Sequence, residues 1–484
     1  MEVAYILGLL ILILFVFYSL LKRGKKSVKP PVLSGYLPIL GHFHLVIGGN
    51  KRIIEIIKRG TEESFIKGNA LTFWMGPKPI YVLTDPDDCL TVANTCLETT
   101  YCYGKEVFGD GLLMCPVSTW KRHRKLINLA FSQQVLDEYV PIFNQQARRL
   151  VEDLRCNVGK GPFDNLPYLR RNTLQTICLT AMGVDLSEES ELNLNYLESF
   201  DQILSHFVKR FMKLWLHVDF IYEFSDLKKT LDKHLEAFHN MSATVLRKKK
   251  EELKNQPKFS GSKQKFFIDL LLEGGVLTDQ EIKEEVDTFI AAGHETTATL
   301  LVFILVLIGS YPHVQERILA ESKEIFENRG EDEDLTRHDL FRLPYLEAVI
   351  KETLRYYSLV PFVLRQIDRD IRIKNYTLHA GNSCMLLFYA IHKSSIWGSD
   401  ADEFRPERWL DPARMPRNPN AFVGFSLGKR NCIGRNFAVM SLKTLIVHLL
   451  RNYKISSNHK NLQMKVDFVF RATSGYHISL EPRI

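Results

Sequence analysis

The sequence of 484 residues lacks any regular spacing of cysteines. Its eight cysteines are scattered along the chain, and no two of them form a C-x-x-C pair. This scatter argues against a zinc site built from paired cysteines and against a secreted framework of disulfides. It favours a reducing compartment, in which a single cysteine can remain free to bind a metal.

The sequence also has little excess of charge. Lys plus Arg number 63 and Asp plus Glu number 56, so the formal net charge is +7. An excess this small over such a length does not predict nucleic acid as a partner. Internal repeats and low-complexity tracts are absent as well, and 45% hydrophobic and 25% charged residues are typical of a globular protein.

The N-terminus lacks the features of a cleaved signal peptide, which are a basic first segment, a shorter apolar stretch and a small-residue cleavage site. Residues 3–21 are instead an apolar run without a charge, long enough to cross a bilayer as a helix. Basic residues follow directly, namely Lys22, Arg23, Lys25, Lys26 and Lys29. We therefore predict a membrane anchor at residues 1–22, with the basic residues in the cytosol.

Helix-breaking residues come next, namely Pro30, Pro31, Gly35, Pro38 and Gly41. We predict a basic and proline-rich hinge at residues 23–41. The remaining residues, 42–484, are long enough for one large core and are predicted to form a single catalytic domain.

The most informative stretch is residues 425–434, F-S-L-G-K-R-N-C-I-G, followed by an apolar helical run at residues 437–450. Glycines at 428 and 434 allow a tight turn and the close approach of a flat ligand. Arg430 offers a fork of donors suited to a carboxylate. A cysteine in this setting is typical of a thiolate that is presented to a ligand, so we predict that Cys432 binds a metal.

The pattern F-x-x-G-x-R-x-C-x-G, with Phe425, Gly428, Arg430, Cys432 and Gly434 in its fixed places, resembles the haem-binding signature of the cytochrome P450 superfamily. The resemblance implies a mainly α fold with a minor β region. It also implies haem b (iron protoporphyrin IX) bound through the Cys432 thiolate, with Phe425, Gly428, Arg430 and Gly434 around it, and O2 as cosubstrate.

Two further stretches are similar to haem-contacting segments of the same superfamily. Trp120 and Arg124 lie four residues apart in a W-x-x-x-R pattern, which implies that both donate to a haem propionate. On this stretch alone, a solvent-facing basic helix face is the alternative. After Pro361, the next residues resemble the segment that passes the haem edge, which implies Phe362 and Val363 at the pocket and Arg365 as another propionate donor.

A long helix is predicted from a capping box of Thr278 and Glu281 to about Ser310. Its middle contains Gly293, which weakens a helix locally, and Thr296, whose hydroxyl can reach the carbonyl of the residue four positions earlier. The helix is therefore expected to open there and leave a groove beside the haem. Simple packing is the alternative for an isolated Gly and Thr.

The stretch A-G-H-E-T-T at residues 292–297 resembles the oxygen-handling motif of the superfamily. The resemblance implies that Thr296 stabilises activated oxygen and that Glu295 relays protons. The longer run E-V-D-T-F at residues 285–289, with His294, resembles the clan of fatty-acid hydroxylases and their insect relatives, family 4 of the superfamily. Members with a covalent haem ester carry glutamate where this chain has Ala292, so no ester is expected.

Glu352 and Arg355 lie three residues apart on one face of a predicted helix, where such pairs are usually surface decoration. Here they match the E-x-x-R pattern of the superfamily. Together with Arg408 of the stretch F-R-P-E-R-W, the resemblance implies a buried charge network that braces the region of the cysteine loop.

The rest of the chain supports a mainly helical domain. Residues 134–255 have helical periodicity, and strands are predicted at residues 72–75 and 80–84, around Ile371 and Cys384, and in a final hairpin around Gly475. Residues 104–116 are predicted to form a loop. Aromatic residues are dense at residues 200–222, which predicts a lipophilic substrate roof, a membrane contact or ordinary helix core.

We expect a haem-thiolate monooxygenase that takes electrons from NADPH through NADPH–cytochrome P450 reductase, with cytochrome b5 as an additional candidate donor. It would lie in the endoplasmic reticulum membrane with its catalytic domain in the cytosol, and would oxidise a small lipophilic substrate such as a fatty acid, a hormone or a xenobiotic. The alternatives are a haem-thiolate isomerase or dehydratase acting on peroxides, and a haem- or lipid-binding protein without turnover.

Overall fold

The computed structural model describes residues 28–100, 103–255, 266–327, 329–330, 333–467 and 469–483. The anchor predicted at residues 1–22 lies outside these ranges. Within them the chain is mainly helical with a minor β region, which confirms the predicted fold class.

Helices make up most of the described chain and range from one turn to more than eight turns in length. In chain order they are α1 (Phe43–Val46), α2 (Asn50–Ile66), α3 (Pro86–Thr95), α4 (Lys105–Phe108), α5 (Val117–Ile127), α6 (Gln133–Glu138), α7 (Val140–Leu154), α8 (Leu166–Ile177), α9 (Ser190–Phe211), α10 (Asp219–Glu223), α11 (Asp226–Asn255), α12 (Phe267–Glu273), α13 (Asp279–Ser310), α14 (Pro312–Phe326), α15 (Arg337–Phe341), α16 (Pro344–Tyr357), α17 (Phe388–Lys393) and α18 (Arg435–Asn452).

Within the described ranges the strands are short and belong to four small sheets. They are β1 (Ala70–Met75), β2 (Lys78–Leu83), β3 (Phe163–Asp164), β4 (Val363–Gln366), β5 (Ile371–Arg372), β6 (Thr377–Leu378), β7 (Ser383–Leu386), β8 (Tyr453–Ser456), β9 (Met464–Val466), β10 (Phe470–Ala472) and β11 (His477–Pro482). The strand orders are β1-β2-β7-β4, β10-β9, β3-β11-β8 and β5-β6.

Helix α13 is the centre of the fold. The predicted capping box is confirmed, because the Glu281 N–H donates to the Thr278 hydroxyl at 3.2 Å and the Thr278 N–H donates to the Glu281 carboxylate at 2.8 Å. Among the described helices, α13 alone is long and apolar enough to cross a membrane by length and composition. Since 83% of its most apolar window is buried inside the protein, it is the core helix.

Several other helices pack against α13 or against a helix that contacts it. Helix α8 lies along it, and α7 connects α8 to α18, the helix that follows the cysteine loop. Helices α9 and α11 pack against each other, and α11 also contacts α13. This arrangement places the oxygen-handling stretch of α13 and the cysteine loop before α18 at one cavity.

The predicted first hairpin is confirmed, because β1 and β2 pair in antiparallel register with Phe73 opposite Ile80. The predicted final hairpin around Gly475 is wrong. Strand β10 pairs with β9, whereas β11 pairs with β8 and β3. An alternating pattern identifies a strand but not its partner, since either neighbour can satisfy the same alternation.

The segment predicted as a loop at residues 104–116 contains the short helix α4. Of the region predicted to be helical, residues 134–255, most is helix, with the strand β3 and short connections between the helices. The predicted strands around Ile371 and Cys384 are confirmed as β5 and β7.

Candidate functional site

The cysteine loop is a tight turn that ends at the first residue of α18. The Cys432 N–H donates to the Phe425 carbonyl at 3.0 Å, so the loop closes on itself before the helix begins. Gly434 is the residue before α18. The side chain of Cys432 lines a cavity rather than the packed core.

The surroundings of the Cys432 thiol affect its pKa in opposite directions. Burial raises its pKa above the usual value, while the Gly434 amide and the positive charges of Arg124 and Arg435 oppose that shift. A thiol with a raised pKa stays protonated at neutral pH unless a cation binds it. The loop therefore presents a sulfur that a metal ion would convert into a thiolate.

The two glycines of the loop have different roles. Gly428 has a φ of +71°, and a Cβ added to it would lie 2.8 Å from the Cβ of Ala93. It is therefore needed both for its backbone conformation and for close packing. Gly434 has a φ of −84°, and an added Cβ would meet only the Cys432 sulfur, at 4.0 Å. The turn itself does not require Gly434, contrary to the expectation from the sequence.

The cavity beside Cys432 is large and mostly apolar. The empty space in this cavity, together with the open solvent at its mouth, has a volume of about 1910 Å³. Its wall includes the apolar side chains of Phe108, Leu112, Leu113, Ile177, Phe200, Leu204, Phe207, Leu300, Leu359, Val360, Val363 and Val469. Ala292, Gly293 and Thr296 of α13 lie on the same wall, so the oxygen-handling stretch and the cysteine share one space.

The residues around this cavity fit a haem. A single sulfur faces the apolar space, and the four nitrogen donors predicted for the propionates, Trp120, Arg124, Arg365 and Arg430, all line it. Carboxylates need such donors when they are placed next to apolar surface. The donor set is thus one soft sulfur and several cationic or N–H groups at the wall of the same cavity, which are the kinds of group that would hold a haem and its two propionates.

Two of these donors also hold the cysteine loop. Arg124 donates to the carbonyl of Asn431 at 2.9 Å and to its side-chain oxygen at 3.2 Å. Arg430 donates to the Cys115 carbonyl at 2.9 Å and lies 5.0 Å from the centre of the Trp120 ring. Arg124 therefore fixes the residue next to Cys432, a contact that the sequence did not indicate.

Arg365 and its neighbours divide between two environments. The Arg365 side chain is buried at the cavity wall and donates to the Leu364 carbonyl at 2.9 Å. Val363 lines the cavity, as predicted. Phe362 does not, because it packs with Leu33 and Leu71 in a separate apolar cluster. Phe362 directly precedes β4, and successive side chains of a strand face opposite sides of its sheet, which agrees with Val363 alone of this pair facing the cavity.

The Thr296 hydroxyl donates to the Ala292 carbonyl at 2.7 Å, which confirms the predicted contact. The predicted opening of the helix is not observed, because α13 is continuous across this stretch. Helix packing, rather than a local opening of the helix, accounts for the glycine at position 293. A Cβ there would lie 2.7 Å from the Ile177 side chain, so its absence lets α8 pack closely against α13.

Glu295 lies next to Thr296, but its carboxylate is bound by other side chains. Arg170 of α8 donates to it at 2.7 Å, and Arg471 of β10 donates to it at 3.0 Å. Asp201 of α9 pairs with both arginines. Sequence reasoning missed these three partners, because they are distant in sequence and none belongs to a local pattern.

The predicted charge brace is present and fully buried. Glu352 accepts from Arg355 at 2.8 and 2.9 Å and from Arg408 at 3.0 Å. The Trp409 indole, which was not predicted, also donates to Glu352 at 2.9 Å. Arg355 further donates to the carbonyl of His392 at 3.0 Å. One carboxylate on α16 thus ties that helix to the segment that precedes the cysteine loop.

Comparison with known proteins agrees with this geometry. The family model for Cytochrome P450 matches residues 30–479. The chain is 30% identical over 495 residues to Cytochrome P450 4V2 of Mus musculus, covering 98% of this chain and 94% of that protein. It is 31% identical over 476 residues to Cytochrome P450 4d2 of Drosophila melanogaster, covering 92% of this chain and 93% of that protein.

Substitution of Gly428 by alanine should destabilise the cysteine loop. The new Cβ would need a left-handed backbone and would collide with Ala93, for a cost of about 1–3 kcal/mol. We expect Gly428→Ala to lower both the thermal unfolding temperature and the haem content of the purified protein. Gly434→Ala is the matched control and should lower the unfolding temperature less. Equal losses in the two variants would contradict this account of the loop.

Removal of the carboxylate at position 352 should disrupt the brace. Glu352→Ala leaves the buried Arg355 guanidinium without its carboxylate and removes one of the two carboxylates that pair with Arg408, which keeps Asp400. Loss of one partner from a buried ion pair costs about 3–5 kcal/mol. We expect a large fall in the unfolding temperature and loss of haem during purification, measured by calorimetry and by pigment absorbance. Glu324→Gln changes an exposed glutamate of α14 and should leave both quantities unchanged. A Glu352→Ala protein as stable as this control would show that the brace is dispensable.

Proposed function

The chain belongs to the cytochrome P450 family and is a monooxygenase; we propose that it inserts one atom of O2 into a lipophilic substrate, with electrons from NADPH through NADPH–cytochrome P450 reductase. The observation that carries this proposal is the shared cavity of Cys432 and Thr296, whose wall is largely apolar. A wall of this kind favours long or bulky hydrocarbon substrates over charged ones. Fatty acids, hormones and xenobiotics all have this chemistry.

We propose that the site binds haem b through the Cys432 sulfur, with no covalent ester, because position 292 is alanine. Bound haem would supply the activation of O2. Trp120, Arg124, Arg430 and Arg365 would bind its propionates from the cavity wall. Phe425 and Gly428 would keep the cysteine loop closed, and Gly434 would leave space beside the Cys432 sulfur.

Thr296 and Glu295 have the positions needed for proton handling. The Thr296 hydroxyl lies at the cavity wall and donates to the Ala292 carbonyl, so it can exchange that hydrogen bond for one to an acceptor inside the cavity. Glu295 precedes it on the inner side of α13. We propose that Glu295 carries protons towards Thr296 and that Thr296 holds them at the cavity.

The brace residues would act through the loop rather than on the substrate. Glu352, Arg355 and Arg408 are buried and do not line the cavity. Their hydrogen bonds join α16 to His392 and Arg408, which lie in the part of the chain that precedes the cysteine loop. We propose that they keep Cys432 at a constant position at the cavity wall, where it would bind the haem iron.

We propose that residues 1–22 anchor the chain in the endoplasmic reticulum membrane, that residues 23–41 form the hinge, and that residues 42–484 face the cytosol. The aromatic stretch at 200–222 supports this placement in part. Phe200 and Phe207 line the cavity, whereas Trp215 and Phe220 are 59% and 74% exposed. Together with Phe224, 72% exposed, these two side chains make an apolar surface suited to lipid.

The test uses the full-length protein in phospholipid vesicles with NADPH–cytochrome P450 reductase, with and without cytochrome b5. A panel of fatty acids, isoprenoid hormones and xenobiotics is first screened for a change in the haem absorption spectrum. For a compound that binds, we expect O2-dependent and NADPH-dependent formation of a hydroxylated product. Conversion of a lipid hydroperoxide without NADPH would instead indicate an isomerase, and binding without turnover would indicate a carrier protein.

Paired variants at position 296 test the role of the hydroxyl. Thr296→Val keeps the shape of the side chain and removes the hydroxyl, so product formed per NADPH should fall by about tenfold or more. Thr296→Ser keeps the hydroxyl and should retain most of the coupling. The measurement is the ratio of product to hydrogen peroxide. Equal ratios in the two variants would rule out a role for the hydroxyl.

A further inference from the structure

Four charged side chains from four elements meet in one cluster, and Glu295 is one of them. Arg170 donates to Glu295 Oε2 from Nε at 3.0 Å and from Nη2 at 2.7 Å, and to Asp201 at 2.6 and 2.8 Å. Arg471 donates to Glu295 Oε1 from Nε at 3.0 Å and also from Nη2, and to Asp201 at 2.7 Å. We call Glu295, Arg170, Asp201 and Arg471 the four-charge cluster.

The cluster occupies both oxygens of Glu295. Oε2 accepts twice from Arg170, and Oε1 accepts twice from Arg471 and once from the Thr299 hydroxyl at 2.9 Å. A carboxylate has about four lone-pair sites, so this one is saturated. A further donor, such as a water that carries a proton, can bind only if one of these hydrogen bonds is given up.

The charges around Glu295 also fix its ionisation. Burial opposes the charged form, but the guanidinium groups of Arg170 and Arg471 outweigh it and hold the pKa of Glu295 below its usual value. His294, whose Nε2 lies 3.9 Å from Glu295, is neutral because burial lowers its pKa to about 4. Glu295 is therefore an engaged carboxylate in this structure and not a free acid.

The two arginines are held differently. Arg170 lies on α8, which packs along α13 and is tied to it by the Thr173 hydroxyl, a donor to the His294 carbonyl at 3.0 Å. Arg471 lies on β10, which within the described residues pairs as a strand only with β9. The N–H groups on either side of Arg471 donate at 2.8 Å to the Leu359 carbonyl, from Phe470, and to the Tyr476 hydroxyl, from Ala472. Val469, two residues before Arg471, lines the cavity. Of the two arginines that bind Glu295, Arg471 is thus the one that lies within two residues of the cavity wall along the chain.

We propose that Arg471 is a positioning residue that couples substrate binding to proton delivery. Its guanidinium holds Glu295 while the cavity contains no substrate, and a substrate that contacts Val469 shifts the β9–β10 hairpin so that Glu295 Oε1 is released. Only hydrogen bonds change in this step. The inference rests on the relay role proposed for Glu295. It implies that the four-charge cluster slows NADPH oxidation that forms no product in the substrate-free enzyme.

The first test measures NADPH oxidation and hydrogen peroxide release by the full-length enzyme with its reductase in vesicles, without substrate. Arg471→Ala should raise substrate-free NADPH oxidation by about tenfold, the scale expected for loss of one charged hydrogen-bonding partner. Arg471→Lys keeps a cation and should restore most of the restraint. Arg483→Ala is the control. Arg483, like Arg471, lies near the C-terminus, but it pairs with Glu316 and does not contact Glu295.

The second readout does not depend on turnover. In the reduced protein with carbon monoxide, the C–O stretching band senses the charge next to the ligand, so it should shift in Arg471→Ala and not in Arg483→Ala. The shift should disappear when Arg471→Ala is combined with Glu295→Gln, because no carboxylate is then released. An unshifted band together with the oxidation rate of the control would overturn the inference.

The outcomes separate this inference from the relay itself. If Glu295→Gln alone leaves the solvent deuterium isotope effect and the peroxide yield unchanged, the relay role of Glu295 is wrong. If Glu295→Gln changes both quantities but Arg471→Ala matches Arg483→Ala, the relay stands and only the coupling through Arg471 is wrong. If Arg471→Ala loses its haem, Arg471→Lys is compared with Arg483→Ala instead. Its substrate-free NADPH oxidation rate is then expected to be slightly above that of Arg483→Ala.

Discussion

The closed loop that holds the Cys432 sulfur at the wall of a large apolar cavity is the constraint on which the rest of this structure depends. Burial raises the pKa of Cys432, and only one amide and two nearby arginines oppose that shift. A sulfur in such a site becomes a stable thiolate when it binds a metal cation. The cavity, its donors and the braces around the loop are all consistent with keeping that sulfur available to one flat, carboxylate-bearing metal cofactor.

Two sets of contacts hold the loop in place from different directions. Arg124 of α5 binds Asn431, the residue before Cys432, and Glu352 of α16 binds Arg408 in the segment before the loop. Both sets bring buried or cavity-lining charges together with hydrogen-bond partners. Such contacts contribute less to net stability than to a unique geometry, because the cost of burying a charge offsets much of the attraction. A catalytic sulfur needs that geometry more than it needs extra stability.

The parts of the site that belong to local patterns could be predicted from the sequence. The neighbourhood of Cys432, the contact of Thr296 with Ala292 and the pairing of Glu352 with Arg355 all depend on residues within a few positions of one another. Arg170, Asp201 and Arg471 could not be found in this way, because only the packing of α8, α9 and the β9–β10 hairpin against α13 brings them to Glu295. The wrong partner for β11 has the same origin, since alternation carries no information about which strand lies alongside.

Ligation by the Cys432 sulfur is the central claim, and carbon monoxide tests it most directly. The full-length protein, reduced and exposed to carbon monoxide, should show the long-wavelength Soret band of a thiolate-bound haem, and Cys432→Ala should lack that band and most of the pigment. A band typical of histidine ligation in the unaltered protein, or an unchanged pigment content in Cys432→Ala, would contradict the account.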